Sequence, residues 1–470
     1  MALSRIWSAF IIVAVLVALL RVVATDHKTI FTSMVTGKTG DTIRLKKADT
    51  TTLSAVQLKQ LDSTKVLTGG KQSIIRSQDR QLQYYSVQNA DGIIETCKSA
   101  VNIAIGLIGI MALFMGFMSI AERAGGIRVL SRIIGPFFSK LFPELPKDHP
   151  AMGHMMLNFS ANLLGLDNAA TPFGIKAMQS LQEINPSKER ASNAQVMFLC
   201  LHAAGLTLIP VTIIAARAAV RPPAANPTDI FIPSMIATFV ATVAAMMIVS
   251  FKQKINIFQP VILAWIGGIS FIIGLLVVYL TRLRTEEVQT FSAFWSNAII
   301  LFIFFLIILG ALYKKINIFD AFIDGAIGGF EVAVKIIPYL VGMLVAISML
   351  RTSGTFDFFI DGMKGLFAAL GTDTRFVDGL PTALIKPLSG SGARGMMIDT
   401  MKTFGADSFA GRLACILQGS SDTTFYVIAV YFGAVNIKDT RYSVGTMLLA
   451  DLVGILTSIF LAYMFFGASG

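Results

Sequence analysis

One polar, glycine-rich stretch interrupts a strongly apolar sequence: Asn162-Leu-Leu-Gly-Leu-Asp-Asn-Ala-Ala-Thr-Pro-Phe-Gly-Ile-Lys-Ala-Met178. A second stretch of the same kind follows later, Lys386-Pro-Leu-Ser-Gly-Ser-Gly-Ala-Arg-Gly-Met-Met-Ile-Asp-Thr-Met401. Inside a hydrocarbon layer, irregular backbone is tolerated only where protein buries it or where it lines a water-filled cavity. The two stretches therefore predict broken or re-entrant helices that share one site.

The composition is typical of a membrane protein. The 470 residues are 54% hydrophobic and 14% charged, and the mean hydropathy is +0.69, which predicts a chain that crosses the bilayer several times. Basic residues that flank the apolar runs explain the net charge of +11, so the expected partner is lipid and not nucleic acid. The three cysteines and four histidines show no metal-ligand spacing, and we expect neither a metal site nor another cofactor.

Charge-free apolar runs mark the segments that could cross about 30 Å of hydrocarbon. They predict spans at 6–20, 100–121, 193–216, 230–251, 255–281, 291–313, 336–350, 413–435 and 442–466. Segment 127–142 mixes basic and apolar residues, as helices on a membrane surface do, and 356–370 is also amphipathic. Run 6–20 could be a signal peptide, but we expect an uncleaved helix with Met1 in the cytoplasm.

The predicted organisation has five parts. They are a transmembrane helix (1–25), a polar extracytoplasmic insert in which alternating patches indicate strands (26–98), a first unit (99–251), a connecting helix (252–290) and a second unit (291–470). The order of elements recurs, beginning at Asp91-Gly-Ile-Ile94 and again at Asp324-Gly-Ala-Ile327. An odd number of crossings separates these starts, which predicts two units of opposite orientation.

Four residues of the first stretch are candidates for binding a solute: Asn162, Asp167, Asn168 and Thr171. They supply amides, a carboxylate and a hydroxyl beside residues that break a helix, where freed backbone groups and helix ends bind polar solutes or ions. A carboxylate at membrane depth is costly and therefore indicates function. The alternative for Asp167 is that it caps a half-helix.

The second half of the chain adds two groups of candidates. Ser389, Ser391 and Arg394 lie in a glycine-rich segment whose amides could approach an anion, although Arg394 could also pair with a carboxylate. Five polar residues interrupt the next apolar run: Gln418, Ser420, Ser421, Asp422 and Thr423. These five either line a solute site or form interhelical hydrogen bonds that fix the packing.

Two isolated titratable residues keep two interpretations each. His202 is a core histidine or a proton relay, and Asp451 is a packing partner or a site residue. No serine stands in a convincing histidine and carboxylate context, so we do not expect an enzyme.

Several of these segments resemble a known family. Up to residue 251, the sequence is similar to spore maturation protein A in Phe142-Pro-Glu-Leu-Pro-Lys-Asp-His-Pro-Ala-Met152, Asn168-Ala-Ala-Thr-Pro172 and Leu206-Thr-Leu-Ile-Pro210. From residue 291, it is similar to spore maturation protein B in Lys335-Ile-Ile-Pro-Tyr-Leu-Val-Gly-Met-Leu-Val-Ala346, Lys386-Pro-Leu-Ser-Gly-Ser-Gly392, Gln418-Gly-Ser-Ser-Asp-Thr-Thr-Phe-Tyr426 and Ala450-Asp-Leu452. The resemblance implies a fusion of the two, each with the nucleoside-recognition or Gate domain that is similar to parts of concentrative nucleoside transporters and of ferrous iron transport protein B.

The sequence departs from that family pattern in three places. Segment 26–98 is longer, Asp167 stands where the family pattern implies glycine, and His202-Ala-Ala-Gly205 stands where it implies a more polar run. Because of the second departure, we consider Asn168 and Thr171 stronger candidates for binding a solute than Asp167.

Together these observations predict an all-α polytopic protein of the bacterial inner membrane, built from two inverted Gate repeats with broken or re-entrant helices and a small soluble insert. The predicted function is transporter-like, for a small polar or anionic solute or an ion, with nucleoside-like solutes included. The alternative is a non-transporting scaffold in envelope or spore maturation, in which the polar stretches only hold helices together. The sequence leaves a homo-oligomer open.

Overall fold

A computed structural model describes residues 2–25, 29–47, 66–69, 72–76, 82–90, 92–146, 149–163, 167–207, 209–280, 282–283 and 285–467. The chain divides into two compact units. One contains Leu3–Val101 with Val341–Leu366, and the other contains Asn102–Leu340 with Phe367–Gly470.

The elements follow in this order along the chain. The first are α1 (Ala2–Thr25), α2 (Ile30–Thr36), β1 (Lys38–Lys47), β2 (Val66–Gly69), β3 (Gln72–Arg76), β4 (Leu82–Ala90), α3 (Ile93–Arg123), α4 (Gly126–Leu141), α5 (Pro150–Leu163), α6 (Asp167–Glu183), α7 (Asn193–Ala203) and α8 (Val211–Ala219). The remainder are α9 (Phe231–Gln253), α10 (Pro260–Leu280), α11 (Thr285–Lys314), α12 (Ile318–Thr352), α13 (Thr355–Ala369), a 3-10 turn (Arg375–Gly379), α14 (Leu380–Ile385), α15 (Gly390–Phe404), α16 (Phe409–Gly419), α17 (Thr424–Gly433) and α18 (Ser443–Phe466).

Within the described ranges, eight segments are long and apolar enough to cross a bilayer. They are Trp7–Ala24, Ile93–Arg123, Phe231–Gln253, Pro260–Leu280, Thr290–Lys314, Ile318–Thr352, Phe409–Gly433 and Ser443–Phe466. The short span predicted at 336–350 is the end of the 35-residue helix α12. The chain is a multi-pass membrane protein, as predicted.

The compact unit formed by Leu3–Val101 and Val341–Leu366 contains the strands predicted for the insert. The four strands form one antiparallel sheet in the order β1-β4-β3-β2, which confirms a small folded insert among otherwise helical elements. α1 packs on α2 and on the end of α12 through a small core that includes Ala14, Ala18, Met34 and Leu350. The Trp7 indole N–H adds a hydrogen bond of 2.9 Å to a main-chain oxygen of α12.

The predicted spans 193–216 and 413–435 are each divided into two helices. The first divides into α7 and α8 because Gly205 has a φ of +65° and Pro210 lacks the N–H that would continue a helix. The second divides into α16 and α17 at 420–423. There Ser420 Oγ donates to Leu417 O at 3.0 Å and Asp422 Oδ1 accepts from Thr423 N–H at 2.6 Å, so side chains replace helical partners.

Each broken helix follows a helical hairpin that carries one of the two polar stretches. α5 packs along α6, and α14 packs on α15. Residues 164–166, which connect α5 and α6, lie outside the described residues. The second hairpin is interrupted at 386–389, where Ser389 Oγ accepts from Gly392 N–H at 3.0 Å and caps α15. The predicted interruption of the second stretch is therefore confirmed, and α9 and α18 pack against each other beside both broken helices.

Candidate functional site

The two broken helices, α7–α8 and α16–α17, run antiparallel to each other. At one end, Ala191 before α7 donates its N–H to Asp439 O after α17 at 3.0 Å, and Arg190 pairs with Asp439 at 3.2 Å. At the other end, Arg217 of α8 contacts Asp407 before α16 at 3.1 Å. Because α7 and α16 are matching elements of the two predicted repeats, the repeats have opposite orientations at this crossing, which agrees with the predicted inversion.

A buried ion network fixes the second of these ends. Arg217 is fully buried, lies 2.8 Å from Asp229 and donates to the main-chain oxygen of Ala406 at 2.7 Å. Arg412 Nε also contacts Asp229, at 2.8 Å, and its Nη2 lies 3.6 Å from Asp407. This role of Arg217 does not follow from the sequence, because a basic residue after an apolar run normally marks a membrane boundary.

The two helix breaks meet where the broken helices cross. Asp422 N–H donates to Ala203 O at 2.8 Å. The main chain of the second break therefore supplies a hydrogen-bond donor to a carbonyl at the C-terminal end of α7. Gly205 lies against the same loop: a Cβ there would be 3.0 Å from Asp422 N, and its φ is positive. Only glycine meets both conditions without strain.

A cavity of about 350 Å³ lies at this crossing. Its volume is within the range of pockets that hold small molecules. The polar part of its wall consists of Asn162, Thr171, His202, Thr207, Thr212, Lys386, Arg394, Gln418, Ser421, Asp422, Thr423, Tyr426 and Tyr431. Both polar stretches and both helix breaks contribute to one cavity.

The predicted site residues divide into three groups in the structure. Those on the cavity wall are Asn162, Thr171, Arg394, Gln418, Ser421, Asp422 and Thr423. Three serines are not on the wall, and their hydroxyls make contacts near the ends of α15 and α16. Ser389 caps α15, Ser391 Oγ lies 3.3 Å from Ser389 Oγ, and Ser420 bonds the end of α16. The side chains of Asp167 and Asn168 lie outside the described part of the structure.

His202 is both buried and on the cavity wall. It is 4% exposed, and its Nδ1 lies 3.0 Å from Asn158 Oδ1 and 2.8 Å from the Asn162 amide. Its Nε2 lies 3.8 Å from Asp422 Oδ2. The sequence left its role open because these partners are distant along the chain and come together only at the crossing.

Tyr431 and Tyr426 are wall residues that the sequence analysis missed. The Tyr431 ring meets the His202 ring edge-on, with centroids 4.7 Å apart, and its hydroxyl is hydrogen-bonded to Thr171 and Asn158. A tyrosine in an apolar run normally indicates lipid or core contact. No sequence pattern identifies this contact: only the fold brings the Tyr431 ring against Gly174, where a Cβ would overlap it.

A second polar cluster lies behind the wall. Asp451 is 4% exposed and its Oδ2 accepts from Thr424 Oγ1 at 2.7 Å. Ser421 is also hydrogen-bonded to Asp451, and Lys386 interacts with it electrostatically. Asp451 therefore connects α18 to the second helix break and to the cavity lysine.

Gln418 carries a polar atom that the described structure leaves without a partner. The residue is 6% exposed, and its Nε2 lies 3.5 Å from Gly390 O. No hydrogen-bond partner within the described chain reaches its Oε1. A buried acceptor without a donor is costly, so this wall favours a solute that presents an N–H or O–H group.

Comparison with known proteins agrees with the sequence resemblance. The Gate family, described as nucleoside recognition, matches residues 104–220 and 333–438. Spore maturation protein B of Bacillus subtilis (strain 168) is 47% identical over 163 residues, which are 35% of this chain and 90% of that protein. Spore maturation protein A of the same organism is 42% identical over 158 residues, which are 34% of this chain and 80% of that protein. No solved structure gave a significant match.

Each relative covers about a third of the chain, as a fusion requires, and the two Gate matches fall one in each inverted half. The chain therefore belongs to the spore maturation protein A and B family, as a fusion of an A-like and a B-like part with the nucleoside-recognition Gate domain.

Proposed function

We propose that this protein is a transporter-like protein of the bacterial inner membrane that binds a small polar solute at the crossing of its two broken helices. One observation carries the proposal: a single polar cavity is bounded by the breaks of both inverted halves. Discontinuous helices that meet between inverted repeats form the substrate sites of many secondary transporters. Solute binding and passage are proposed, without a bond-making step.

The wall supports a solute with both hydrogen-bond donors and acceptors. Lys386 and Arg394 provide positive charge and Asp422 provides negative charge, while Gln418 Oε1 requires a donor. Two tyrosine rings, Tyr426 and Tyr431, offer flat apolar surface for a ring or chain. Nucleoside-like compounds and small anions with hydroxyl or amine groups match this wall.

The names of the two relatives add a process to this proposal. Both are called spore maturation proteins, so we propose that the transport step serves spore maturation. The alternative remains a membrane scaffold, which the buried pairing of Arg217 with Asp229 and Asp407 favours. That network holds helices together whether or not the cavity is filled.

Binding and uptake by the purified full-length protein separate the two functions. We would screen nucleosides, nucleotides and inorganic ions by thermal shift in nanodiscs and by uptake into liposomes, with Asp422→Asn and Gln418→Met beside the wild type. The control is Asp361→Asn, which changes an exposed carboxylate of α13.

If the protein is a transporter, at least one solute class should raise its unfolding temperature or accumulate in the liposomes. Asp422→Asn should weaken the binding of that solute about tenfold, and Asp361→Asn should leave it unchanged. The tenfold loss corresponds to about 1.4 kcal/mol for a hydrogen bond to a charged group. If the folded wild type neither binds nor accumulates any member of the panel, the scaffold is the better description.

A further inference from the structure

The orientation of Asn158 determines which nitrogen of His202 carries a proton. Asn158 Nδ2 donates to Ala170 O at 2.7 Å, so its Oδ1 is the atom that faces the imidazole. That oxygen lies 3.0 Å from His202 Nδ1. Because an amide oxygen only accepts, Nδ1 must be the donor and hold a hydrogen.

Asn162 is compatible with the same assignment. Its Nδ2 atom is placed 2.8 Å from His202 Nδ1, and a half-turn of the amide, which exchanges its nitrogen and oxygen, puts an acceptor against the same N–H. Asn158 therefore fixes the tautomer, and Asn162 in that amide orientation contacts the same ring nitrogen.

The other ring nitrogen then faces a carboxylate. With Nδ1 protonated, a neutral His202 has a lone pair at Nε2, 3.8 Å from Asp422 Oδ2. That distance is beyond a direct hydrogen bond and within the range of an ion pair. Two electron-rich atoms facing each other repel; the imidazole is 4% exposed, while the Asp422 side chain is 45% exposed, so solvent at the carboxylate weakens only part of that repulsion. One proton between them replaces repulsion with attraction.

We propose that His202 and Asp422 form a proton-binding pair on the cavity wall. A proton taken up by the pair binds Nε2 and faces the Asp422 carboxylate. The imidazole belongs to the helix that ends at the first break, and the carboxylate belongs to the second break. The pair stands whether or not a solute binds. A role of the bound proton as the ion that drives transport rests on the proposed function, because coupling requires that a solute also binds in the cavity.

Other charged and titratable groups face the same cavity and act on this pair. They are Lys386, Arg394, Tyr426 and Tyr431 on the wall and Asp451 behind it. Lys386 interacts electrostatically with Asp451, so its charge is opposed locally. Tyr431 presents its ring to His202 and is no competitor for the proton, because its hydroxyl is hydrogen-bonded to Thr171 and Asn158.

Nuclear magnetic resonance of the histidine rings tests the pair without any solute. The chain has only four histidines, so full-length protein labelled with ¹⁵N-histidine and ¹³C-aspartate in nanodiscs gives a small set of signals. His202→Gln assigns the ring of interest and His154→Gln assigns a matched ring whose Nδ1 lies 3.1 Å from Ser180 Oγ. Spectra are compared between pH 5 and 9 for the wild type and Asp422→Asn.

We expect Nε2 of His202 to take up its proton at a higher pH in the wild type than in Asp422→Asn, because the carboxylate 3.8 Å away attracts that proton, with the His154 signals unchanged as evidence that the variant is folded. A wild-type His202 whose Nε2 stays bare down to pH 5 beside an ionised Asp422 would overturn the pair, even if Asp422→Asn could not be prepared. A confirmed pair together with an empty solute screen would leave the proton site standing and remove transport.

Discussion

Gly174 and Tyr431 show how one residue of the first polar stretch sets the shape of the cavity wall. Gly174→Ala would place a methyl group into the Tyr431 ring and 2.8 Å from Asn158 Nδ2. We expect a loss of stability of about 1–3 kcal/mol, because a packed site cannot take up the added volume. Gly153→Ala is the control, since a Cβ there meets nothing within 4 Å.

The measurement for this pair is the midpoint of thermal unfolding in detergent. Gly153→Ala should leave it unchanged or raise it, because alanine is the better helix former. Equal midpoints for the two variants would show that Tyr431 moves away freely.

Arg217 permits a comparison between a buried and an exposed ion pair. Arg217→Met leaves two carboxylates, Asp229 and Asp407, with Arg412 alone, and removing one partner of a buried pair costs about 3–5 kcal/mol. Arg123→Met removes an exposed pair with Asp324, for which we expect about 0–1 kcal/mol. The yield of monodisperse protein and its unfolding midpoint report both. A mild effect of Arg217→Met would mean that the network is not what joins α8 to α16.

At the level of single residues, chemical type alone predicted part of the wall. Gln418, Ser421, Asp422 and Thr423 were found because polar groups inside an apolar run are costly and need a reason. His202 and Tyr431 were not assigned to the site, since both are common in helix cores and their partners come from other helices. Their roles depend on a crossing that no local pattern encodes.

The broken helices are the elements that hydropathy describes least well. Residues 193–216 and 413–435 pass as continuous spans because alanines, glycine and hydroxyl residues barely lower the average over a window of that length. Gly205 and Pro210 were the signals for the first break. The second contains no proline between Phe409 and Gly433, and its interruption depends on side-chain hydrogen bonds that only the fold reveals.

Cross-linking tests the antiparallel arrangement of these elements. In a background with Cys97, Cys200 and Cys415 replaced by alanine, we expect a short bifunctional maleimide to join Arg190→Cys with Asp439→Cys. It should also join Ala225→Cys with Asp407→Cys, because Ala225 N–H donates to Asp407 at 2.8 Å. The pair Arg190→Cys with Asp407→Cys is the control and should stay unlinked. Efficient linking of that pair alone would indicate parallel helices.

At the scale of the whole molecule, inversion predicts which loops share a side of the membrane. Lys188 and Lys438 lie at the same end of the crossing, since Lys438 pairs with Glu189 at 2.6 Å, whereas Ala225 lies at the other end. Lys188→Cys and Lys438→Cys should react with an impermeant maleimide from one side and Ala225→Cys from the opposite side. Ala225 follows α8 as Lys438 follows α17, so labelling of both from the same side would contradict the inverted repeat.

The hydrogen bond from Asp422 N–H to Ala203 O also has a consequence for concentration. Its donor belongs to the B-like half and its acceptor to the A-like half, so the cavity exists only while the halves remain together. In one chain that association is intramolecular and independent of dilution. Two unlinked chains of the same sequence would assemble the cavity only above a threshold density in the bilayer, and covalent fusion removes that threshold.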